Sequence, residues 1–245
     1  MFNQEFRHKL KLHLKDTTFT HAYEHIIRAI RFARRAGYSA DYSGNILDVG
    51  AYDGETARFF HRFFPKATIQ AYEPNPDAAT LLQQNVQGID QILFHPEALS
   101  DTTGTLPFYV THNKVSSSLN KVIASSPGAA GVLADQLKVD RVIDIPLLTL
   151  DECGYTDILI LKLDTQGNEV RVLNGGKNTL KKTSLVITEM SVHQLYENGC
   201  TYSETDEVLR SAGFMAIDFI VPSRKNGVQM MEFDAIYANT TLVSL

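Results

Sequence analysis

The chain has 245 residues, of which 44% are hydrophobic and 21% charged, a composition that predicts one globular domain rather than several. Its net charge is −5, yet residues 1–45 hold eight of the 23 basic side chains and four of the 28 acidic ones. The remainder is therefore acidic, which argues against a nucleic acid as principal partner.

Two cysteines, Cys153 and Cys200, stand far apart in the sequence. This spacing indicates neither a zinc site nor a disulfide framework, and it fits a reducing compartment. The N-terminal segment is charged from Glu5 onward, and the most apolar run, Ile158–Leu163, is short and contains Lys162. We therefore expect a cytoplasmic protein without a membrane span.

The first predicted element is an amphipathic helix over Glu24–Gly37. Its isoleucines recur at helical spacing, whereas its arginines lie elsewhere on the cylinder. We expect it to pack on the core as part of a helical N-terminal extension, residues 1–45, ahead of a domain over residues 46–245. Arginines that contact a membrane surface or a nucleic acid are the alternative interpretation. Four histidines precede or open the helix without completing a metal-ligand set: His8, His13, His21 and His25.

From Ile46 onward, short apolar runs alternate with stretches of helical periodicity. The predicted strands are Ile46–Val49, Ala67–Tyr72 and Ile92–His95, and the helices between them are Thr56–Phe64 and Asp77–Val86. Farther along follow a strand at Ile158–Leu163, a helix at Asn168–Leu173 and a strand at Leu185–Thr188. This alternation predicts an α/β fold with a doubly wound sheet of mostly parallel strands.

The last apolar runs, Phe214–Val221 and Met230–Ala238, flank a turn-forming segment at Pro222–Gly227. They predict a C-terminal antiparallel hairpin. An irregular insertion, residues 111–141, is rich in Ser, Gly and Asn and predicts either a substrate lid or an unrecognised helix. Its polar side chains suit a polyhydroxyl acceptor, and we assign Ser117, Ser118 and Asn120 to substrate binding.

Residues 45–56 read Asn-Ile-Leu-Asp-Val-Gly-Ala-Tyr-Asp-Gly-Glu-Thr, a strand that breaks into glycine where a helix begins. Gly50 and Gly54 permit close backbone approach to a ligand, and Glu73, after the next strand, is placed to bind a ribose. The turn lacks G-x-G-x-x-G, and Asp48 and Asp53 surround it with carboxylates, which disfavours a dinucleotide pyrophosphate. S-adenosylmethionine, a cation without phosphate, suits it better.

Five blocks of sequence resemble the FkbM-type methyltransferases in content and order: Asp48–Ala51 with Gly54, Glu73–Pro76, Ala98–Asp101 with Gly104, Leu150–Asp151 and Lys162–Glu169. The resemblance runs from about Ile46 to Phe214. It implies a class I, Rossmann-like, S-adenosylmethionine-dependent methyltransferase with a seven-stranded sheet whose last strand is antiparallel. It also implies O-methylation of a hydroxyl on a sugar, glycan precursor or related small molecule.

The resemblance further implies which residues bind the cofactor. It places the glycine turn around the methionine part, Glu73 on the ribose and the third block near the adenine, so that the cofactor residues are Asp48, Gly50, Ala51, Tyr52, Gly54, Glu73, Ala98 and Asp101. The family usually has Asn at the position of Tyr52, so a polar contact to the cofactor has no counterpart here. An ordinary strand-to-helix turn is the alternative for the glycines, and a plain turn is the alternative for Asp101.

Asp164 follows a predicted strand at the carboxyl edge of the sheet, where it is the candidate general base for an acceptor hydroxyl. The alternative is that Asp164 caps the helix entered at Gln166. Lys162 is predicted to snorkel or to pair with Asp164 or Glu189. Glu189, at the end of the following strand, and His193, one helical turn beyond, are candidate bases or metal ligands, with a buried network acid and a surface histidine as alternatives.

No spacing demands a metal, so none is assigned, and a divalent ion at Asp164 and Glu189 stays open. Two other functions fit the same sequence. One is an NAD-dependent oxidoreductase, and the other is a non-catalytic domain that keeps the cofactor pocket and binds a partner through its basic helix. The sequence is compatible with a homo-oligomer.

Overall fold

The computed structural model describes residues 23–126, 133–225 and 229–243. His8, His13 and His21, residues 127–132 of the predicted lid and residues 226–228 of the predicted turn lie outside the described residues.

In chain order the elements are α1 (Glu24–Arg35), β1 (Asn45–Val49), α2 (Glu55–Phe63), β2 (Thr68–Tyr72), α3 (Pro76–Val86), β3 (Ile92–His95), β4 (Ala98–Leu99), β5 (Gly104–Thr111), α4 (Leu133–Gln136), β6 (Val139–Leu148), β7 (Ile158–Leu163), α5 (Glu169–Asn174), α6 (Lys177–Leu180), β8 (Thr183–Ser191), α7 (Tyr202–Ser211), β9 (Phe214–Lys225) and β10 (Gln229–Asn239).

Seven strands form the main sheet in the order β3-β2-β1-β7-β8-β10-β9. The strands from β3 to β8 pair in parallel, and β10 runs antiparallel to both of its neighbours. The predicted doubly wound α/β sheet with an antiparallel C-terminal hairpin is therefore confirmed. β9 extends to Lys225, so it includes the first four residues of the segment predicted as a turn.

Side chains alternate between the two faces of this sheet, as the period of a strand requires. Ile46 and Ile160 pack in one core beneath α1, α2 and α3, whereas Leu47 and Leu161 pack in a second core against α5, α6 and α7. Every residue of β7 is buried, which is typical of a parallel strand covered on both faces and explains its continuous apolar run.

The helix α1 packs on β8, β9 and β10 through its buried isoleucines. Arg28 binds Glu24 on its own helix and contacts both carboxylate oxygens of Asp218 on β9 at 3.0 Å. The division of the chain at residue 46 stays a prediction. Among the helices of the described segments, none has the length and apolar character needed to cross a membrane.

The insertion forms part of a second sheet, in which β6 lies between β4 and β5. Isolated bridges join Tyr109 to Ser118 and Val122 to Tyr196, so the described part of the insertion is tied to the loop that follows β8. The four-residue helix α4 lies within this region. The assignment of residues 111–141 as a lid stays a prediction.

Candidate active site

A cleft opens at the carboxyl edge of the main sheet, where β1, β2 and β7 end. The segment after β5 supplies another part of its wall through Lys114, Val115 and Leu119. In open α/β sheets this edge is where ligands bind. The cleft brings together six of the predicted site residues: Gly50, Tyr52, Glu73, Ala98, Ser117 and Asp164.

Gly50 begins the turn after β1 with a φ of +79°. A Cβ at this position would overlap the backbone carbonyl oxygen of Asp164. β1 and β7 pair in parallel up to Val49 and Leu163, so the two chains enter the site side by side. Glycine is therefore required here by the approach of β7, a long-range contact that the sequence pattern does not reveal.

Gly54 and Ala51 shape the same turn from behind the cleft. Gly54 has a φ of +79° at the start of α2, and a Cβ on it would lie 3.1 Å from side-chain carbons of Leu82 and Val86 on α3. The amide of Ala51 donates to the carbonyl of Tyr72. Neither residue lines the cleft, so any influence that they have on a cofactor is exerted through the backbone of the turn.

Glu73 follows β2 and connects two loops at the cleft wall. Its Oε2 accepts the backbone N–H of Tyr52 at 2.9 Å, and its Oε1 accepts that of Asn75 at 2.8 Å. Burial raises its pKa to about 7, against the effect of these two donors. Each carboxylate oxygen retains a lone pair for a further donor, such as a ribose hydroxyl.

Tyr52 has a φ of 49°, the left-handed region that asparagine tolerates better than tyrosine. The asparagine usual in the resembling family therefore suits the backbone of this turn. In this chain Tyr52 keeps the conformation, and its side chain lines the cleft.

Lys162 lies beneath the glycine turn and ties together the ends of two strands. Its Nζ donates to the carbonyl of Gly50 at 2.9 Å and lies 3.2 Å from Asp48 Oδ1 and 3.5 Å from Asp164 Oδ2. Burial lowers the pKa of Lys162, but the charges of Asp48 and Asp164 outweigh burial and hold the pKa above its ordinary value. Lys162 is therefore a charged residue that pairs with Asp164, as one alternative predicted.

Asp48 is wholly buried opposite Lys162 in the register of β1 and β7 and does not line the cleft. Burial raises its pKa, and the Lys162 charge opposes that effect. The geometry does not support a direct contact between Asp48 and a cofactor, because its carboxylate is enclosed in the ion pair.

The Asp164 side chain lines the cleft wall and is 39% exposed to solvent. Its Oδ1 accepts a hydrogen bond from Gln166 Nε2 at 2.9 Å. The following helix begins at Glu169, and Glu169 accepts the backbone N–H groups of Thr165 and Gly167 at 2.8 and 3.3 Å. Glu169 thus takes the turn amides that the capping alternative would give to Asp164.

Glu189 lies inside β8, opposite Asp234 on β10, rather than at the end of the strand. Burial raises its pKa well above the ordinary value, and the charge of Asp164 raises it further. The predicted helical turn between Glu189 and His193 is wrong, because β8 continues to Ser191 and His193 lies in a bend beyond it. Neither side chain lines the cleft.

The serine-rich segment is fastened over the site by its own hydrogen bonds. Ser117 lines the cleft and donates to the carbonyl of Lys114 at 2.8 Å. Ser118 Oγ donates to the carbonyl of Gln166 at 2.7 Å and accepts the N–H of Asn120 at 3.1 Å. Ser118 and Asn120 therefore hold the segment in place behind the cleft surface.

Two wall residues that the sequence reasoning missed carry buried acceptors without a donor. Asn168 gives its Nδ2 hydrogen to the carbonyl of Leu99 at 2.9 Å, which fixes the amide orientation and leaves its Oδ1 unmatched. Glu97 Oε2 is likewise unmatched. Asp101, predicted near the adenine, is exposed and does not line the cleft. Asn168 belongs to the block Lys162–Glu169, which resembles the family, so the sequence could have indicated it. Nothing in the sequence indicates Glu97 except that it precedes Ala98.

Within the described residues, no group of three or more His, Cys, Asp or Glu side chains is arranged to hold a metal ion. The cleft therefore combines an exposed carboxylate, a buried carboxylate that already binds two amides, and two unmatched acceptors. Such a wall suits a ligand that carries positive charge and several donors better than it suits a pyrophosphate.

The sequence profile described as "Methyltransferase FkbM domain" matches residues 48–215, more than half of the chain. This chain belongs to the FkbM methyltransferase family. It is also similar to the 2-O-methyltransferase NoeI of Sinorhizobium fredii, at 32% identity over 158 residues that make up 62% of this chain and 65% of that relative. The chain thus spans slightly less than two thirds of the relative that it matches.

Solved structures support the fold of this FkbM family member. The magnesium protoporphyrin IX methyltransferase ChlM of Synechocystis PCC 6803, with bound S-adenosylmethionine, superposes with a TM-score of 0.50 at 9% identity, covering 91% of this chain and 81% of that one. At this identity the likeness concerns the fold alone. The expected class I methyltransferase fold and the FkbM resemblance are both confirmed.

The residues of the cleft fit S-adenosylmethionine, the cofactor of this family. Glu73 keeps lone pairs for a ribose diol, and the unmatched oxygens of Glu97 and Asn168 fit an amine donor such as the adenine N6 group. The Asp164 carboxylate at the wall shares Lys162 with Asp48, so the three side chains carry one net negative charge, which favours a sulfonium and an ammonium.

Proposed function

We propose that this chain is an S-adenosylmethionine-dependent O-methyltransferase whose acceptor is a hydroxyl of a sugar, glycan precursor or related small molecule. Membership of the FkbM family supports the cofactor, and the similarity to NoeI, a 2-O-methyltransferase, supports oxygen as the methylated atom. The observation that carries the proposal is the half-buried Asp164 carboxylate, which lies on the cleft wall beside the turn at Gly50.

In this proposal the turn from Gly50 to Tyr52 lies against the methionine part of the cofactor, and Glu73 accepts the ribose hydroxyls. The adenine lies beside Ala98, where Glu97 Oε2 and Asn168 Oδ1 accept its amine hydrogens. Asp48 and Gly54 do not contact the cofactor directly; they stabilise the conformation of the turn. Asp101 is left outside the contact set.

The bound cofactor supplies an electrophilic methyl group on a sulfonium. Asp164 would accept the proton of the acceptor hydroxyl, so that the hydroxyl oxygen could take the methyl group that the cofactor would supply, with the electron pair of the broken bond left on sulfur. Most of the rate enhancement comes from holding the three atoms in line in a cleft that excludes water. A positioned general base adds about 10²- to 10⁴-fold.

The other candidate bases suit the role less well than Asp164. Lys162 is held as an ammonium by two carboxylates, so it has no lone pair to offer. Glu189 lies inside β8 and does not line the cleft, and burial raises its pKa well above the ordinary value. We therefore assign Lys162 and Glu189 to the support of Asp164, and we assign no role to His193.

The segment over residues 111–141 fits a substrate lid, since Lys114, Val115 and Leu119 already line the cleft. Its Ser117 hydroxyl is the one member of the proposed substrate set at the cleft surface. We keep as predictions a small hydroxylated acceptor as partner, the absence of nucleic acid binding, a cytoplasmic location and a possible homo-oligomer.

The decisive experiment is transfer of a labelled methyl group from S-adenosylmethionine into a panel of sugars, nucleotide sugars and cell extracts, with and without a chelator. We expect the label in an O-methyl group, and the chelator arm tests dependence on a divalent metal. Asp164→Asn should lower turnover at least about tenfold while the affinity for S-adenosylhomocysteine changes no more than a few-fold.

Asp90→Asn is the matched control, because Asp90 is exposed and precedes β3 at the opposite edge of the sheet. It should leave turnover unchanged. Unchanged turnover in Asp164→Asn would remove Asp164 from the role of base. Cofactor binding without transfer to any acceptor would favour the non-catalytic domain.

A further inference from the structure

Gln166 lies between the proposed base, Asp164, and a second acid, Glu189, which is partly buried. Its Nε2 donates to Asp164 Oδ1 at 2.9 Å and to Glu189 Oε2 at 3.0 Å. An amide nitrogen carries two hydrogens, so both are used by these two carboxyl groups. Among the described side chains that contact Asp164, Gln166 is the one neutral donor, and Lys162 is the cation.

The orientation of this amide is fixed from its other end. The Tyr196 hydroxyl, in a buried side chain, donates to Gln166 Oε1 at 2.7 Å and lies 3.1 Å from the carbonyl of Ser116. A flipped amide would turn its oxygen toward the Asp164 carboxylate and lose that hydrogen bond. The Tyr196 hydroxyl donates to the amide oxygen, so it supports the orientation in which the amide nitrogen faces the two acids.

The backbone of Gln166 is held as firmly as its side chain. Its φ is 56°, a left-handed conformation that is unfavourable for a residue with a Cβ. Its carbonyl accepts the Ser118 hydroxyl at 2.7 Å. Strained backbone of this kind persists where the surroundings over-determine it, and such positions concentrate at active sites.

The two acids joined by Gln166 differ in environment. Asp164 is 39% exposed at the cleft, whereas burial raises the pKa of Glu189 well above its ordinary value. A neutral amide hydrogen bond fixes the Asp164 carboxylate without neutralising it, whereas a second cation would compete with the acceptor proton. The charged or titratable groups around this pair come from α1, β1, β7, α5, β10 and the loop after β8: His25, Asp48, Lys162, Glu169, Glu232, Asp234 and Tyr196.

We propose that Gln166, oriented by Tyr196, is a positioning residue for methyl transfer: it holds the Asp164 carboxylate toward the acceptor hydroxyl and keeps it from sharing a proton with Glu189. This inference rests on the proposed function of Asp164. Gln166 acts through Asp164 and makes no bond to the reacting atoms.

The test uses Gln166→Met, which keeps the length of the side chain and removes both hydrogen-bond donors. Its turnover should fall about ten- to a hundredfold, as expected for loss of a hydrogen bond to a charged group, while the Kd for S-adenosylhomocysteine stays within a few-fold. The pH profile of kcat should also change, because the amide no longer separates the Asp164 carboxylate from Glu189. Tyr196→Phe should give a smaller change in the same direction.

Asn198→Met controls for a methionine at a left-handed position, since Asn198 has a φ of 57° and is exposed in the neighbouring loop. It should leave kcat and its pH profile unchanged. A double-mutant cycle then separates positioning from folding. In the Asp164→Asn background, Gln166→Met should cost no further turnover, because the group that it positions is already gone.

Wild-type kcat and pH profile in Gln166→Met would overturn the inference, and so would a full additional loss in the Asp164→Asn background. The failure of the proposed function has a different signature. If Asp164→Asn itself retains full turnover, then the base is elsewhere and the role of Gln166 falls with it. If Asp164→Asn lowers turnover but Gln166→Met does not, the assignment of Asp164 as base holds and the positioning role of Gln166 is wrong.

Discussion

Lys162 on β7 and Asp48 on β1 form a buried ion pair, with 3.2 Å between Nζ and Oδ1, directly beneath the cleft turn. The same ammonium donates to the carbonyl of Gly50. One cation thus fixes the turn that approaches the cofactor and lies beside the carboxylate assigned as base. Because Lys162 both pairs with a buried acid and holds the turn, its loss should affect the stability of the fold and the geometry of the site together.

Removal of the cation should be costly for folding. Lys162→Met leaves the Asp48 carboxylate buried without its partner, so we expect the free energy of unfolding to fall by about 3–5 kcal/mol in urea titrations. Asp48→Asn added to Lys162→Met should restore a large part of that loss. Lys66→Met is the control, because Lys66 and Asp41 form an exposed pair at 2.8 Å whose loss should change the free energy of unfolding far less. Equal effects of the two lysine substitutions would contradict the buried ion pair.

Cofactor affinity should depend on pH through Glu73, whose pKa burial raises to about 7. The ribose hydroxyls need the ionised carboxylate, so binding below pH 7 must release a proton. The affinity for S-adenosylhomocysteine should therefore be about tenfold weaker at pH 6 than on the plateau above pH 7. Calorimetry of Glu73→Gln should show weak binding without this dependence. A wild-type affinity that is flat from pH 6 to pH 8 would remove Glu73 from the ribose site.

Glu73 should also make the stability of the cofactor-free protein depend on pH. Because the folded pKa of Glu73 lies above its unfolded value, its contribution to stability is fully present in acid and is lost as the pH rises toward about 7. Urea titrations without cofactor should show wild type losing stability relative to Glu73→Gln over this range. The opposite slope would mean that the carboxyl is not desolvated.

Gly50 and Gly88 allow a matched test of the turn. Both have left-handed φ angles, +79° and +81°, but a Cβ on Gly50 overlaps the Asp164 carbonyl whereas a Cβ on Gly88 meets open space. Gly88→Ala should cost only the strain of the left-handed conformation, about 1–2 kcal/mol. Gly50→Ala should cost more and should also weaken S-adenosylhomocysteine binding at least about tenfold, as the turn is displaced. Similar behaviour of the two variants would contradict the close approach of β7.

The adenine amine should be recognised through the unmatched oxygens of Glu97 and Asn168. S-inosylhomocysteine replaces that amine with a carbonyl oxygen, which would face two acceptors. We expect it to bind at least about a hundredfold more weakly than S-adenosylhomocysteine, because a site built for a donor is left unpaired. Competition binding measures the ratio. Equal affinities would place the amine elsewhere.

The order and direction of the main strands could be predicted from the sequence, because parallel strands buried on both faces appear as short apolar runs such as Ile158–Leu163. The end of β8 could not. Its apolar run stops at Thr188, but pairing with β10 carries the strand to Ser191 and encloses Glu189. Local composition does not reveal a partner strand that lies some forty residues away.

The candidate site divides in the same manner. Gly50 and Glu73 were recognisable because their residue types and spacing follow from the backbone of a strand-to-helix turn. Lys162 pairs with Asp164, one of the two acids predicted for it, but its closer partner Asp48 was not predicted, because Asp48 faces Lys162 only through the register of β1 and β7. Glu97 and Asn168 were missed because an unmatched buried acceptor is a property of three-dimensional packing.

The most direct test of the central claim is a calorimetric titration of the protein with S-adenosylhomocysteine, S-adenosylmethionine and NAD. We predict that both adenosyl ligands bind at one site per chain, that Glu73→Gln weakens both, and that NAD does not bind. If neither adenosyl ligand binds at millimolar concentration while NAD does, the assignment of this cleft as a methyl-donor site is contradicted.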